Sequence, residues 1–303
     1  MSNTPSPGHY PEMTNDDYHS TGGISKSHLD DIADRSPLHY WNERVRPDRE
    51  PRDKTPALIL GDAIHKAILE PDLLESNFIT APADAPKRPS SAQRKAKKPS
   101  IETLEAIDFW DNFGRQAFGK TILDTDDLAM IKRARDSVHR HPVAGPLLRG
   151  GMPEQTFFAI CPRTGALIKC RSDYLKPRMI VDLKSTEDAS PEGFGKSAFN
   201  YRYDVQAAWY PHVVEASGWH EPIEHFVFVA IEKSEPFACG VYYAVEEVMG
   251  WNNIPERPLD DARYVMNANL DMILACRERG QWPDYAMNPQ ALQKPGWAKR
   301  KAA

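Results

Sequence analysis

The chain has 303 residues, 41% hydrophobic and 27% charged, with 38 Lys+Arg against 43 Asp+Glu. This is the balance of a soluble globular protein of one large or two ordinary domains, and it excludes a disulfide-stapled miniprotein, a disordered chain and a membrane bundle. The net charge of -5 hides an asymmetry: Lys87 to Lys98 carries six positive charges and no acid, and Lys294 to Lys301 carries four more. The remaining body is strongly acidic, so any phosphate binding must fall to local basic patches or to bound cations. The longest clearly apolar uncharged run, Phe226 to Ile231, is too short to cross a bilayer. The amino terminus, MSNTPSPGHYPEMTNDD, has neither a basic start nor an apolar core and does not read as a signal peptide, so the expected location is the cytoplasm. Cys161, Cys170, Cys239 and Cys276 form no C-x-x-C pair and read as reduced, partly buried thiols.

Residues 1–20 read as a polar segment. In GISKSHLDDIA, Ser25 or Ser27 can cap a helix that buries Leu29 and Ile32, and Pro37 opens a second, aromatic segment, PLHYWNERV. Residues 46–56 are charged and Pro-rich, hence a loop. ALILGDAIHKAIL, residues 57–69, is helical, with Leu58, Ala63, Ile64, Ala67 and Ile68 on its apolar face and Pro71 closing it. Residues 80–100 lack apolar periodicity and read as a flexible basic insertion, either a solvated loop or a grip for nucleic acid. Helical patterns return at about 101–118 and 126–140.

The character changes after Gly150-Gly151. QTFFAICP, TGALIKCRSDYL and RMIVDLKS read as three successive strands, the first pair a hairpin around Arg163-Thr164-Gly165. Helices follow near 191–199 and at 203–217, the latter despite Pro211. EHFVFVAIEK and PFACGVYYAV are two more strands, and a last helix runs over about 259–280. Helices, a β meander, helix, strands and helix define an α/β core with a helical amino-terminal elaboration. Residues 21–285 read as one domain and 286–303 as a basic tail.

Polar residues interrupt these strands where a bland sheet would want apolar ones. Asp173 stands at the end of the second strand, and Asp182 and Lys184 punctuate the third. Alternation puts Asp182 and Lys184 on one face, with Leu183 on the other. Carboxylates on two adjoining strands make a hard, oxygen-rich corner suited to Mg²⁺ or Mn²⁺. Gln206 and Tyr210, four apart, project from one side of a helix. Gly61 to His65 places a histidine on a helix, and Glu154 introduces the first strand. Each of these alone has a bland structural reading: an exposed ion pair, a core histidine, a surface glutamine, a strand-end acid. Their joint occurrence in this order is poorly explained by chance.

The order G-x-x-x-H (Gly61 to His65), Glu154, Asp173, D-x-K (Asp182 to Lys184) and Q-x-x-x-Y (Gln206 to Tyr210) resembles the RecB-type PD-(D/E)XK nucleases. Within them, NDDYHSTGGISKSHLDDIADRSPLHYW, LGDAIHKAILEP, VDLKSTEDASPEGFGKSAFNYRYDVQAAWY and FVFVAIEK are similar to the nuclease domain of the exodeoxyribonuclease VIII (RecE) type and its prophage relatives. The resemblance implies a restriction-endonuclease-like α/β core, with a mixed central sheet flanked by helices. It implies a metal-dependent exonuclease, degrading linear double-stranded DNA 5′-to-3′ and leaving 3′ overhangs for a single-strand annealing protein of the RecT type. Asp173, Asp182, the Leu183 main-chain carbonyl and His65 would hold Mg²⁺ or Mn²⁺, with Glu154 a candidate for a second ion. Lys184 would orient the attacking water, Gln206 would hold that water or a phosphate, and Tyr210 would support Gln206. Lys87, Arg88, Arg94, Lys95, Lys97 and Lys98 are candidates for DNA binding, and Lys26, Arg44 and Arg171 for a 5′ phosphate. The resemblance also implies a homo-oligomer, a toroidal trimer or tetramer, with no membrane role. With no cysteine before Cys161, the sequence does not match the iron–sulfur members of the superfamily, and it carries no helicase phosphate loop. The rival reading is a catalytically idle DNA-binding or phage assembly module on the same fold.

Overall fold

The computed structural model describes residues 4–49, 55–249, 255–285 and 288–292. In chain order the strands are β1 (Gly8–Tyr10), β2 (Phe78–Thr80), β3 (Thr121–Leu123), β4 (Met152–Ile160), β5 (Leu167–Lys176), β6 (Met179–Thr186), β7 (His225–Glu232) and β8 (Cys239–Tyr243), with a two-residue pair, β9 (Val248–Met249) and β10 (Pro255–Glu256), after them. The helices are α1 (Asn15–Ser20), α2 (Lys26–Asp34), α3 (Pro37–Tyr40), α4 (Pro56–Leu69), α5 (Leu74–Asn77), α6 (Ser91–Arg94), α7 (Ile101–Gln116), α8 (Thr125–Arg140), α9 (Ala144–Leu147), α10 (Pro191–Asn200), α11 (Tyr203–Ala216) and α12 (Pro258–Arg279). The tail expected at 286–303 lies largely outside the described residues.

The main sheet has the order β1-β4-β5-β6-β7-β8. Every neighbouring pair is antiparallel except β6 and β7, which are parallel and need the α10–α11 crossover between them. The fold is therefore a mixed α/β sheet flanked by helices, as expected. The β4–β5 hairpin turns where the sequence places it, with the Gly165 N–H bonding the Cys161 carbonyl at 2.9 Å and Gly165 at φ +71°.

Alternation along β6 and β7 separates two apolar layers. Ile180, Phe226, Phe228 and Ala230 face α11, α12 and α2, where Trp209, Leu270, Ile273 and Leu29 fill the layer. Val181, Leu183, Val229 and Ile231 face α4 and α8, meeting Ile64, Ile68, Ile131 and Val138. Burying a side chain of this size is worth roughly 1.5–3 kcal/mol, so these layers fix which face of β6 each residue shows. Asp182 and Lys184 consequently share the α11 face.

Three local expectations change. The amino-terminal polar segment is part of the fold: β1 pairs with β4, His9 stacks on Phe157 at 4.6 Å, and Tyr18 of α1 is buried. A backbone ladder needs no apolar pattern, which is why composition misses it. The basic insertion is anchored rather than loose, because the Trp110 indole N–H donates to the Pro86 carbonyl at 2.9 Å and the Arg88 guanidinium lies 4.5 Å from the Trp110 ring centre. Leu58 is 59% exposed, so the buried face of α4 is carried by Ala63, Ile64, Ala67 and Ile68 without it. Leu58 sits in the first turn of α4 and faces away from the core that its neighbours Ile59 and Leu60 pack against.

Candidate active site

The site lies where β5 and β6 part. Their ladder runs from Lys176↔Met179 to Tyr174↔Val181. At the next position the Asp173 side chain takes over, its Oδ2 accepting the Leu183 N–H at 2.8 Å. In a strand the N–H and C=O of one residue point the same way, so the Leu183 carbonyl is aimed at the same opening. Something must also turn Asp173 into it. Ile168 and Cys170 belong to the α11 layer, whereas Tyr174 belongs to the α4 layer. Residues an even number apart on a regular strand share a face, so the alternation breaks between Cys170 and Tyr174. Opposite that break, the β4–β5 register skips the Glu154–Asp173 pair, and Glu154 adopts φ +56°. A non-glycine residue held there is strained backbone, the kind that gathers at functional sites.

Asp182 is fully buried. Its Oδ1 accepts a hydrogen bond from the Gln206 side-chain amide, within reach because α11 covers the face of β6 that carries Asp182. Its Oδ2 lies 2.6 Å from Lys184 Nζ, at an angle that makes an ion pair but no directed hydrogen bond, so this oxygen is sealed from water without a directed donor. Lys184 Nζ also lies 4.6 Å from the centre of the Tyr203 ring. Burial pushes the Asp182 carboxyl up to about 6, with Lys184 opposing and the Asp173 charge adding to it. Burial likewise raises Asp173 to about 6, again opposed by Lys184. Lys184 is held above its ordinary value because Asp182 and Asp173 outweigh its own burial.

His65 comes from α4, on the far face of the sheet, and its Nδ1 stands 3.6 Å from Asp173 Oδ2. That is ion-pair reach and beyond a hydrogen bond. Burial, reinforced by Lys184, lowers its pKa and favours the neutral imidazole that a metal ligand must be. Gly61, one turn before it, has room for a side chain: an added Cβ would meet Ser185 Oγ at 4.0 Å, an ordinary contact. Tyr210 packs edge-on to Phe226, with ring centres 6.1 Å apart, one helical turn beyond Gln206.

The structure thus brings together Asp173, Asp182, Leu183, Lys184, Gln206 and His65, with Tyr210 behind them. Other expected residues are engaged elsewhere. The Glu154 carboxylate accepts from Arg171 Nε at 2.7 Å, and Arg171 also donates to Thr156 Oγ1 and the Met13 carbonyl. Arg44 pairs with Asp31 and Lys26 with Asp30, each at 2.7 Å. The three 5′-phosphate candidates therefore all carry internal acid partners. In the insertion, Arg88 lies on Trp110 and Arg94 pairs with Asp111, leaving Lys87, Lys95, Lys97 and Lys98 exposed. Sequence reasoning missed Tyr203, although an aromatic three residues before Gln206 falls on the same helix face.

Among the described residues no three His, Cys, Asp or Glu side chains are gathered so as to enclose a metal as they stand. The donors nonetheless suit a hard cation: two carboxylates, a strand carbonyl aimed at the same opening, and a buried carboxylate oxygen without a directed donor. Lys184 supplies the positive charge beside that oxygen in this structure.

The chain belongs to the family described as PDDEXK-like domain of unknown function (DUF3799), which matches residues 25–295. Among solved structures, it is similar to the crystal structure of an Eubacterium rectale protein described as a "putative exonuclease". The two have a TM-score of 0.58 and 15% sequence identity, over 94% of this chain and 96% of that one. No curated protein matches. Among the described residues no helix is long and apolar enough to cross a membrane.

Proposed function

We propose that the protein is a metal-dependent nuclease of the RecE type, degrading linear double-stranded DNA 5′-to-3′ and leaving 3′ single strands for an annealing protein. The observation that carries the nuclease reading is the buried Asp182, clamped by Gln206 and ion-paired to Lys184, with Asp173 one strand away. Membership of a PDDEXK-like family and the fold of a neighbour described as an exonuclease support it. Polarity, the overhang, the annealing partner and a toroidal homo-oligomer rest on the sequence resemblance. On this proposal residues 21–285, together with β1 and α1 before them, act as one nuclease domain.

Asp173, Asp182 and the Leu183 carbonyl would hold Mg²⁺ or Mn²⁺, with His65 beside them. Bound there, the ion would neutralise charge on the scissile phosphate and acidify water. Gln206 fixes the Asp182 carboxylate by donating to Oδ1, which leaves Oδ2 beside Lys184 as the oxygen that would meet the ion. Lys184, held between Asp182 and the Tyr203 ring, places an ammonium where negative charge grows on the phosphate oxygens. Among the residues gathered at the site none is poised as a covalent nucleophile, and three of the four cysteines are buried.

The test is incubation with linear duplex labelled at its 5′ or 3′ end, and with covalently closed circles, each with and without Mg²⁺. Release of 5′ label from linear duplex, dependent on Mg²⁺ and abolished in Asp182→Asn, is the expected result. Activity surviving excess EDTA would refute metal dependence, and nicking of closed circles would refute exonuclease action. Binding without hydrolysis in any metal would instead favour the idle DNA-binding module.

A further inference from the structure

Lys184 leads outward to a second feature of the site, a pair of stacked tyrosines that reaches solvent. Tyr203 carries Lys184 Nζ 4.6 Å from its ring centre and Lys26 Nζ at 5.9 Å, and stacks on Phe228 at 5.8 Å. On it lies Tyr201, with ring centres 5.9 Å apart and planes 26° from parallel. Tyr201 is 63% exposed, and Phe199, two residues earlier, is 62% exposed. Large aromatic side chains contribute most when covered, so an uncovered Tyr201 ring stacked against a charged site indicates a contact outside the folded chain.

The turn that presents Tyr201 is tied down from two sides. Arg202 sits in the left-handed region at φ 52° and ψ 48°, a costly choice for a residue with a side chain. Its guanidinium grips Asp204 with two hydrogen bonds, of 3.0 and 2.8 Å. Lys26 donates to the Tyr201 carbonyl at 2.7 Å while paired with Asp30, so α2 ties the turn down from the other side. A main chain held this way limits where the Tyr201 ring can go, so less freedom is lost when a flat partner covers it.

We propose that Tyr201 is a stacking platform for an unpaired nucleobase of the DNA substrate, beside the phosphate that Lys184 would meet. In duplex the faces of internal bases are covered by their neighbours, whereas an unpaired base offers a free π-face to an aromatic side chain, whatever its sequence. A base stacked on Tyr201 belongs to a nucleotide close to the phosphate at Lys184, because only Tyr203 separates the two. The proposal rests on the nuclease reading and adds one contact to it: Tyr201 holds the unpaired base of the nucleotide bound beside Lys184.

The test uses single-stranded oligodeoxynucleotides, each carrying one 2-aminopurine at a different position, bound with Mg²⁺ to the full chain with Asp182→Asn to block cleavage. One position should be quenched on binding. Adding Tyr201→Ala should abolish that quench and weaken binding about tenfold, the scale of removing one base–aromatic stack. Tyr201→Phe, which keeps the ring, should preserve both. An oligonucleotide abasic at the quenched position should bind equally well with Tyr or Ala at residue 201. Unchanged quench and affinity in Tyr201→Ala, or continued discrimination on the abasic strand, would overturn the platform. The nuclease reading fails separately, if the protein without these substitutions releases no label from DNA in Mg²⁺.

Discussion

Asp173 and Asp182 bring two carboxylates to one gap in the sheet, and Lys184 is the cation that stands between them and mutual repulsion. Removing one partner of a buried ion pair strands the other, typically at several kcal/mol. Lys184→Met should therefore lower stability by about 3 kcal/mol, as well as the hydrolysis rate by two or more decades, the scale expected when a positioned electrostatic group is removed. Because the missing charge can be replaced, Mn²⁺ should raise the melting temperature of Lys184→Met more than that of the unmodified protein. Equal shifts in both would show that the ion does not take over the charge that Lys184 supplies to the carboxylates. Much of this was legible in the residues: period two puts Asp182 and Lys184 on one face, and i, i+4 spacing puts Gln206 and Tyr210 on one side of α11. The turn of Asp173 was not, since it depends on a broken alternation opposite Glu154, and φ +56° at a glutamate leaves no mark in a sequence.

At the scale of elements, the site is an opening between strands served from both faces, with α11 contributing Gln206 and α4 contributing His65. Hydrophobic periodicity located both helices but not the depth at which α4 crosses β6. Gly61 shows the difference, because its neighbourhood has room for a methyl group. Glycine inside a helix costs roughly 0.5–1 kcal/mol relative to alanine. Gly61→Ala should therefore raise stability by about that much, read as a melting temperature a few degrees higher, and a fall would mean that the approach to Ser185 is tighter than 4.0 Å. The amino-terminal elements are fastened by a buried lysine that no apolar pattern announces. Lys169 Nζ donates to the Tyr18 and Thr21 carbonyls at 2.6 and 2.7 Å and lies 4.5 Å from the Tyr18 ring centre. Burial, with Arg44 adding to it, lowers its pKa from 10.5 to about 8. The unfolded chain then binds more protons than the folded one between pH 8 and 10.5, so this residue makes stability rise with pH across that window; below about pH 8 its cost is constant. The full effect is on the order of 3 kcal/mol. Buried Tyr18, whose pKa is raised by burial, pulls the other way above pH 10. Melting curves between pH 8 and 10 should thus slope upward more steeply in the unmodified protein than in Lys169→Met, and parallel curves would show that Lys169 is not desolvated.

Across the whole molecule, charge is divided: an acidic body carries its positive residues in a few places, and the structure divides these again. Composition made the 87–98 insertion conspicuous as a single block of six charges. Pairing distinguishes its members, because Arg88 is spent on Trp110 and Arg94 on Asp111, both on α7, whereas Lys87, Lys95, Lys97 and Lys98 face solvent. A cation already stacked or ion-paired has less to gain from a phosphate, while a solvated ammonium releases condensed counterions when it binds one. If the insertion grips duplex DNA at the entrance to the site, changing those four lysines to Ala should flatten the slope of log K against log salt by up to about 0.9 for each phosphate that is no longer neutralised. It should shorten runs of digestion while leaving single cleavage events at saturating protein unchanged, because none of the four belongs to the group around Asp182. Arg88→Ala and Arg94→Ala should behave in the opposite way, loosening the insertion from α7 with little effect on the salt slope. Salt titrations of duplex binding, read beside melting temperatures, separate the two sets. An unchanged slope in the quadruple lysine variant would remove the insertion from the DNA path and leave the acidic body dependent on the groups around Lys184 for its hold on phosphate.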